Sequence, residues 1–328
     1  MANMRNYMRC SLKRINNDWY NSKPTWVCRL LIPFSLLYII IIKLRYWLYK
    51  YKFLKSYSFS VPVIVVGNIT VGGTGKTPLV IYLANYLKSE GFNPGIVSRG
   101  YKGANKNFPQ QVTANSDPIQ VGDEPVLIAK RTGCPVFVDK KRVRAVQALL
   151  AKTNCNIVIS DDGLQHYQLN RTVEIAVIDG ERRLGNELYL PAGPLRENPT
   201  RLKTVNFIIS NGKAKTGEYE MQLVTAKIYN MKNPELILNT QENIHAVAGM
   251  GYPARFFEQL RLLGLNIIAK PFPDHYKFSA EDFNYDGLII MTEKDAVKCQ
   301  TFADERYWCL AIDAVLPAEF LTSLRRAL

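Results

Sequence analysis

Lys76 and Thr77 close a glycine-rich run, Thr70-Val71-Gly72-Gly73-Thr74-Gly75-Lys76-Thr77, whose residue types suit a phosphate group. Glycines let backbone N–H groups converge on phosphate oxygens with no Cβ in the way. A lysine in this place reaches the outer phosphates, and a threonine hydroxyl suits Mg²⁺. The flanks agree with that chemistry. VPVIVVGN before the run is apolar and β-branched, as a buried strand is, and PLVIYLANYL after it has helical spacing. Strand, glycine turn, Lys-Thr and helix in this order form a phosphate-binding loop, with the helix N-terminus adding partial positive charge. The general pattern asks for glycine at position 70, where this chain has Thr70.

Other residues with chemistry in them fall at the ends of apolar runs. Asp161-Asp162 follows NIVIS, and an acid at that point in a phosphate-loop protein serves the Mg²⁺ shell opposite Thr77, the choice between the two staying open. Gln165 and His166 lie in the next turn, and Arg99 stands in Ser98-Arg99-Gly100-Tyr101 after a second short strand. These and Arg196 are candidate substrate contacts. Leu190-Pro191-Ala192-Gly193-Pro194-Leu195-Arg196-Glu197 reads as a stiff surface loop, suited either to an anionic substrate or simply to a proline-held connection. Gly122-Asp123-Glu124-Pro125 puts two carboxylates at a helix start, where capping is the ordinary explanation. Phe272-Pro273-Asp274-His275-Tyr276 is a proline-fixed turn carrying one of only three histidines; a lone histidine is usually structural. Thr292-Glu293-Lys294-Asp295 is either a helix cap or a nucleotide contact.

The elements that must position these residues alternate between strand and helix, which implies a parallel α/β sheet with its ligands beyond the strand C-terminal ends. The phosphate loop, Arg99, Asp161-Asp162 and Asp179 all fall at such ends. A chain of 328 residues has room for two domains. We divide it into an N-terminal segment (1–55), a phosphate-loop domain (56–212), a stretch alternating like paired strands (213–240), and a smaller α/β domain (241–328). At 47% hydrophobic and 21% charged the composition is that of a folded chain. The net charge is +14, yet residues 1–55 hold most of it, which argues against a nucleic-acid face on the globular body. Six cysteines without a CxxC pair imply reduced thiols and no zinc framework.

Leu30–Ile42 is an apolar run flanked by basic residues, with Tyr38, Tyr46, Trp47 and Tyr49 in reach of a lipid interface. As a helix the run alone would be about 20 Å long, short of a hydrocarbon core of roughly 30 Å. It reads as a helix lying in the membrane surface, held by its apolar face and by cationic side chains.

As an ordered set, GGTGKTP, SRGYKG, GDEP, DDGLQH, VIDGERRLGN, LPAGPLRE, FPDHYKF and TEKDAVK resemble the tetraacyldisaccharide 4′-kinases of lipid A biosynthesis, from about Val63 to Lys298. GGTGKT alone would fit many ATPases; the set in order is specific. The resemblance implies a P-loop α/β/α domain with a smaller α/β/α domain joined by a two-stranded linker. It implies an enzyme that uses ATP and Mg²⁺ to phosphorylate the 4′-hydroxyl of an acylated disaccharide 1-phosphate, giving lipid IVA. The place implied is the cytoplasmic face of the bacterial inner membrane, with the protein peripheral to it and no nucleic acid involved. By the same resemblance Asp123 is the catalytic base, His275 its partner brought to it by domain closure, Lys76 the phosphate lysine, and Thr77 with Asp161 and Asp162 the metal ligands. The alternative is a membrane-associated switch ATPase; those carry a signature lysine where this chain has Val71.

Overall fold

The computed structural model describes residues 18–21, 23–101, 103, 104 and 107–328. Lys102, Cys10 and the basic residues before position 18 lie outside them. In chain order the strands are β1 (Val63–Gly67), β2 (Pro94–Ser98), β3 (Gln110–Val112), β4 (Val136–Val138), β5 (Ile157–Ser160), β6 (Val173–Asp179), β7 (Phe207–Asn211), β8 (Tyr219–Asn230), β9 (Ile244–Ala248), β10 (Ile267–Pro271), β11 (Leu288–Thr292) and β12 (Tyr307–Val315). The helices are α1 (Trp26–Leu30), α2 (Ile32–Lys50), α3 (Lys76–Ser89), α4 (Pro118–Val121), α5 (Asp123–Thr132), α6 (Arg142–Lys152), α7 (Pro253–Leu262), α8 (Glu293–Cys299) and α9 (Ala318–Ala327).

These elements pack as two compact units, both discontinuous in sequence: residues up to 76, 162–221 and 316–328 in one, 77–161 and 222–315 in the other. In the first, β1, β6, β7 and the start of β8 run parallel in that order. Every residue of β1 is buried, as expected of a strand covered on both faces. The C-terminal helix α9, which no motif marks in the sequence, closes this unit by setting Phe320 against Phe207 and Tyr219, ring centroids 5.4 Å apart in both pairs.

The second unit holds two sheets. β5, β2 and β4 are parallel, with β3 antiparallel on the edge. β10, β9, β11 and β12 are parallel, and β8 pairs antiparallel with β12. The paired strands read from residues 213–240 are therefore one long strand, and its partner comes from residues 307–315. Alternation along β9 serves two cores: Ile244, Ala246 and Ala248 pack with Phe256, Phe257 and Leu260 of α7, while Val247 packs with Met291 and Tyr307. All five described cysteines are free.

The apolar N-terminal run forms more than the short helix expected of it. Thr25 caps α1, the chain breaks at Leu31 before Pro33, and α2 continues for 19 residues, about 28 Å. Among the described residues α2 is the one helix long and apolar enough to cross a membrane. One of its faces packs on the first unit along the whole length. Ser35 donates to Tyr189 O (2.8 Å), Tyr38 to Arg196 O (3.1 Å) and Arg45 to Gln165 O (3.3 Å). Tyr46 and Tyr49 lie against Tyr167. Tyr38, Tyr46 and Tyr49 thus touch protein, Tyr46 remaining exposed. Leu36, Leu37, Ile40, Ile41, Leu44 and Trp47, on the opposite side by helical spacing, are exposed.

Candidate active site

The phosphate loop keeps its shape through backbone geometry and a small set of tethers. Gly72 and Gly75 have φ of 121° and 91°. At Gly75 a Cβ would also come within 2.8 Å of Asn211 Nδ2 and 2.9 Å of Met221 Cε, so only glycine fits. The buried Asn68 ends β1 and turns its Nδ2 to Thr74 Oγ1 (3.3 Å). Thr70 is buried and bridges to Leu195, Val71 N–H donates to Pro194 O (2.8 Å), and Arg196 N–H donates to Ile69 O (2.7 Å). The Leu190–Glu197 stretch is thus no surface loop. Ala192 to Leu195 and Glu197 are buried, and the stretch buttresses the phosphate loop.

Charged side chains gather at the loop's end. Lys76 Nζ lies 3.7 Å from Asp162 Oδ1, and Arg196 Nη1 donates to both oxygens of Asp162 at 2.9 and 3.2 Å. Asp162 has φ of 47°, an unusual value for a residue with a Cβ, of the kind that clusters at functional sites. Gln165 Nε2 bridges Asn68 O (2.9 Å) and Glu197 Oε1 (2.6 Å). His166 lies in the same turn, its carbonyl held by Arg171. Asp179 caps the turn after β6 and holds Arg182, whose Nη2 donates to Gly73 O (3.0 Å) and whose guanidinium lies over Tyr20 (4.8 Å). Tyr20 in turn donates to Val71 O at 2.9 Å. Arg182 belongs to the VIDGERRLGN motif; Tyr20 has no local pattern in the sequence that sets it beside the loop.

Asp161 and Thr77 belong to the second unit. Asp161 is buried, its Oδ2 accepting from Ser98 Oγ at 3.0 Å. The buried Arg142 fixes the turn by donating to the carbonyls of Asp139 and Asp161, both at 2.9 Å. Thr77 is the second residue of α3. Arg99 is exposed in the turn after β2. Among the described residues no three His, Cys, Asp or Glu side chains form a ready-made metal cage. A threonine hydroxyl with one or two carboxylates nevertheless fits Mg²⁺, which is usually held by few protein oxygens plus substrate phosphates.

The second unit also assembles a cluster around Asp123. Gly122, with φ of 95°, starts α5 without a side-chain cap, and Asp123 is its first residue, 5% exposed. Its carboxylate accepts from His275 Nδ1 at 2.9 Å. No closure is needed to form this pair, since both residues sit in one compact unit. His275 stands in the left-handed region (φ 58°), its own N–H donating to Gly249 O (3.2 Å), while Gly249 N–H donates to Asp295 Oδ2 (2.9 Å). Thr292 caps α8 and also holds Asp295, so the capping reading of that motif describes Thr292. Glu293 faces elsewhere, paired with Arg131.

Electrostatics keep Asp123 ionised. Burial opposes its charge, but the His275 hydrogen bond, the Lys294 ammonium, the charge that His275 carries when protonated and the Lys298 ammonium outweigh it and hold the carboxyl at about 2. Lys298 Nζ is 4.0 Å from Asp123 and 2.6 Å from Asp295. The pair opens on a small cleft with Tyr101, Ile119, Lys277 and Phe278 on its walls. An ionised carboxylate with an oriented imidazole behind it, facing a cleft with cationic and aromatic walls, is equipped to take a proton from a hydroxyl.

Comparison with known proteins decides the family. The profile described as tetraacyldisaccharide-1-P 4′-kinase matches residues 27–328. The chain belongs to that family. It is 52% identical over 308 residues to the tetraacyldisaccharide 4′-kinase of Coxiella burnetii (strain RSA 331 / Henzerling II), covering 92% of this chain and 91% of that one. It is 46% identical to the Legionella pneumophila (strain Corby) protein of the same name, covering 93% and 94%. Among solved structures it resembles LpxK from Aquifex aeolicus in complex with ATP, with a TM-score of 0.78, 31% identity, and coverage of 92% of this chain and 99% of that one. The chain is therefore a kinase of the P-loop α/β kind, and the switch-ATPase alternative is displaced.

Proposed function

We propose that this kinase transfers the γ-phosphate of ATP to the 4′-hydroxyl of a tetraacyldisaccharide 1-phosphate, with Asp123 as the base. The observation that carries the assignment of roles is the buried, ionised Asp123 hydrogen-bonded to His275 on an open cleft. The sugar O–H gives its proton to Asp123 as the O–P bond forms and the bridge to the β-phosphate breaks, leaving ADP. A carboxylate of low basicity is adequate because the transition state is loose and the hydroxyl becomes strongly acidic only as transfer proceeds. Lys76 and Arg196, which meet at Asp162, neutralise the phosphates when nucleotide replaces that carboxylate. Gln165, Arg99 and His166 are contacts for the nucleotide or acceptor. Mg²⁺ supplies charge neutralisation on the phosphates. Thr77 and Asp161 are its protein ligands in preference to Asp162, which two cations already claim.

The exposed face of α2 rests on the cytoplasmic leaflet of the inner membrane. Because its other face is occupied by protein from Ser35 to Tyr49, the helix lies on the bilayer and does not span it. A lipid acceptor stays in the bilayer, so surface attachment raises its effective concentration.

One assay tests the whole reading. Labelled ATP and the disaccharide 1-phosphate in anionic vesicles should yield a bis-phosphorylated lipid; ATP hydrolysis without that product would overturn the assignment. In the same vesicles Asp161→Asn should raise the Mg²⁺ requirement more than Asp162→Asn. Leu37→Glu combined with Ile41→Glu should release the protein to the supernatant. The reverse ranking, or retained binding, removes the metal or membrane part alone.

A further inference from the structure

The two ring nitrogens of His275 face different partners. Nδ1 faces the Asp123 carboxylate at 2.9 Å, an acceptor only, so Nδ1 carries a hydrogen. Nε2 faces Lys294 Nζ at 3.4 Å, an ammonium that only donates. We propose that Lys294 is a positioning residue: by donating to Nε2 it holds His275 as the neutral Nδ1–H tautomer. A proton on Nε2 would point at the ammonium and lose that hydrogen bond.

The surrounding charges have defined partners. Asp274 Oδ2 lies 3.7 Å from Nε2, while its Oδ1 is 3.3 Å from Lys294 Nζ. Glu124 Oε1 takes Lys294 at 3.1 Å. Lys298 is held by Asp295, Lys277 stands on the cleft wall, and the Tyr101 ring meets the imidazole edge-on at 5.6 Å. Burial works against the Lys294 charge, but Glu124, Asp123 and Asp274 hold its ammonium well above the usual lysine value. The Lys294 ammonium occupies the Nε2 side of the ring, where the nearest carboxylate oxygen, Asp274 Oδ2, is beyond hydrogen-bond distance at 3.7 Å. A neutral imidazole orients Asp123 through one hydrogen bond without neutralising it, leaving the carboxylate able to accept the hydroxyl proton. That catalytic consequence rests on the reading of Asp123 as base; the tautomer does not.

The test is a long-range ¹H–¹⁵N correlation spectrum of the full chain labelled at its three histidines, with His275→Asn to assign the ring. At neutral pH His275 is expected to show a protonated Nδ1 and a bare Nε2. A protonated Nε2 in the unaltered protein overturns the proposal, whatever any variant does. In Lys294→Met a hydrogen should appear on Nε2 at neutral pH, and kcat should fall with it. Lys294→Arg, which keeps a donor beside Nε2, should restore the original spectrum. A Lys294→Met protein with lower kcat but an unchanged His275 spectrum marks a merely structural lysine and also overturns the proposal. A spectrum that changes while kcat stays supports the tautomer assignment and counts against Asp123 as base.

Discussion

The phosphate loop draws its shape from one run of eight residues, whereas the Asp123–His275 pair is assembled from segments more than 150 residues apart. In the loop the working groups are backbone N–H donors, and the side chains around it serve mainly to hold the backbone: Asn68, Arg182 and Tyr20 all make bonds to it or within it. In the pair the working groups are side chains, and backbone serves to hold them: Gly249 ties the His275 turn to Asp295. A site made of backbone can be written locally, because residue type at each position decides which φ is accessible. A site made of side chains depends on where distant elements bring their ends. The two should therefore fail differently when perturbed.

The largest expected effect is at the side-chain site. Asp123→Asn keeps the shape of the carboxylate and removes its basicity, so kcat should fall by roughly 10²–10⁴-fold. The affinity for ATP, measured by calorimetry, should not change. A variant with normal turnover would remove the base from the mechanism, and one that also lost ATP would merge the two regions that the comparison separates.

Next is the pH dependence of stability. The folded carboxyl of Asp123 lies at about 2, below its unfolded value of 3.8. A depressed value stabilises the fold above the unfolded pKa, and that stability is lost as pH falls from about 4 to about 2. The shift corresponds to about 2 kcal/mol. His275→Ala should remove much of it, so the variant's denaturant midpoint should drop less between pH 5 and pH 2 than that of the unaltered protein. Equal drops would show that the histidine bond contributes nothing to holding Asp123 ionised.

The smallest effect is at the backbone site. Gly75→Ala must adopt a positive φ and push against Asn211 and Met221. ATP affinity should fall by about tenfold or more. At saturating ATP, kcat should change far less than that affinity. A loss of kcat as large as that of Asp123→Asn would mean that the two sites do not fail separately.

Much of this was legible before the fold was known, and the failures have a common cause. Most of the parallel strands and their helices were readable because buried parallel strands are continuous apolar runs and their helices are amphipathic, whereas the short edge strand β3 and the one-turn helix α4 carry no such pattern. The paired strands expected within 213–240 were misassigned because alternation marks a strand but not its partner, and β12 lies far along the chain. The loop at 190–197 was read as surface because proline and glycine signal a turn without saying what packs on it. That Tyr38 and Tyr49 of α2 also pack on protein was not legible, because hydropathy does not tell which face of a helix meets protein.

Sequence by itself determined the phosphate loop, the order of the motifs and, through that order, the family, because each depends on residue type at fixed spacing along one stretch of backbone. The tertiary structure alone decided that His275 meets Asp123 without any closure, that Lys294 stands behind its ring, and that α2 lies with one face on protein and the other exposed. Those are distances between side chains on separate elements. Local propensity carries no information about them until packing brings the elements together.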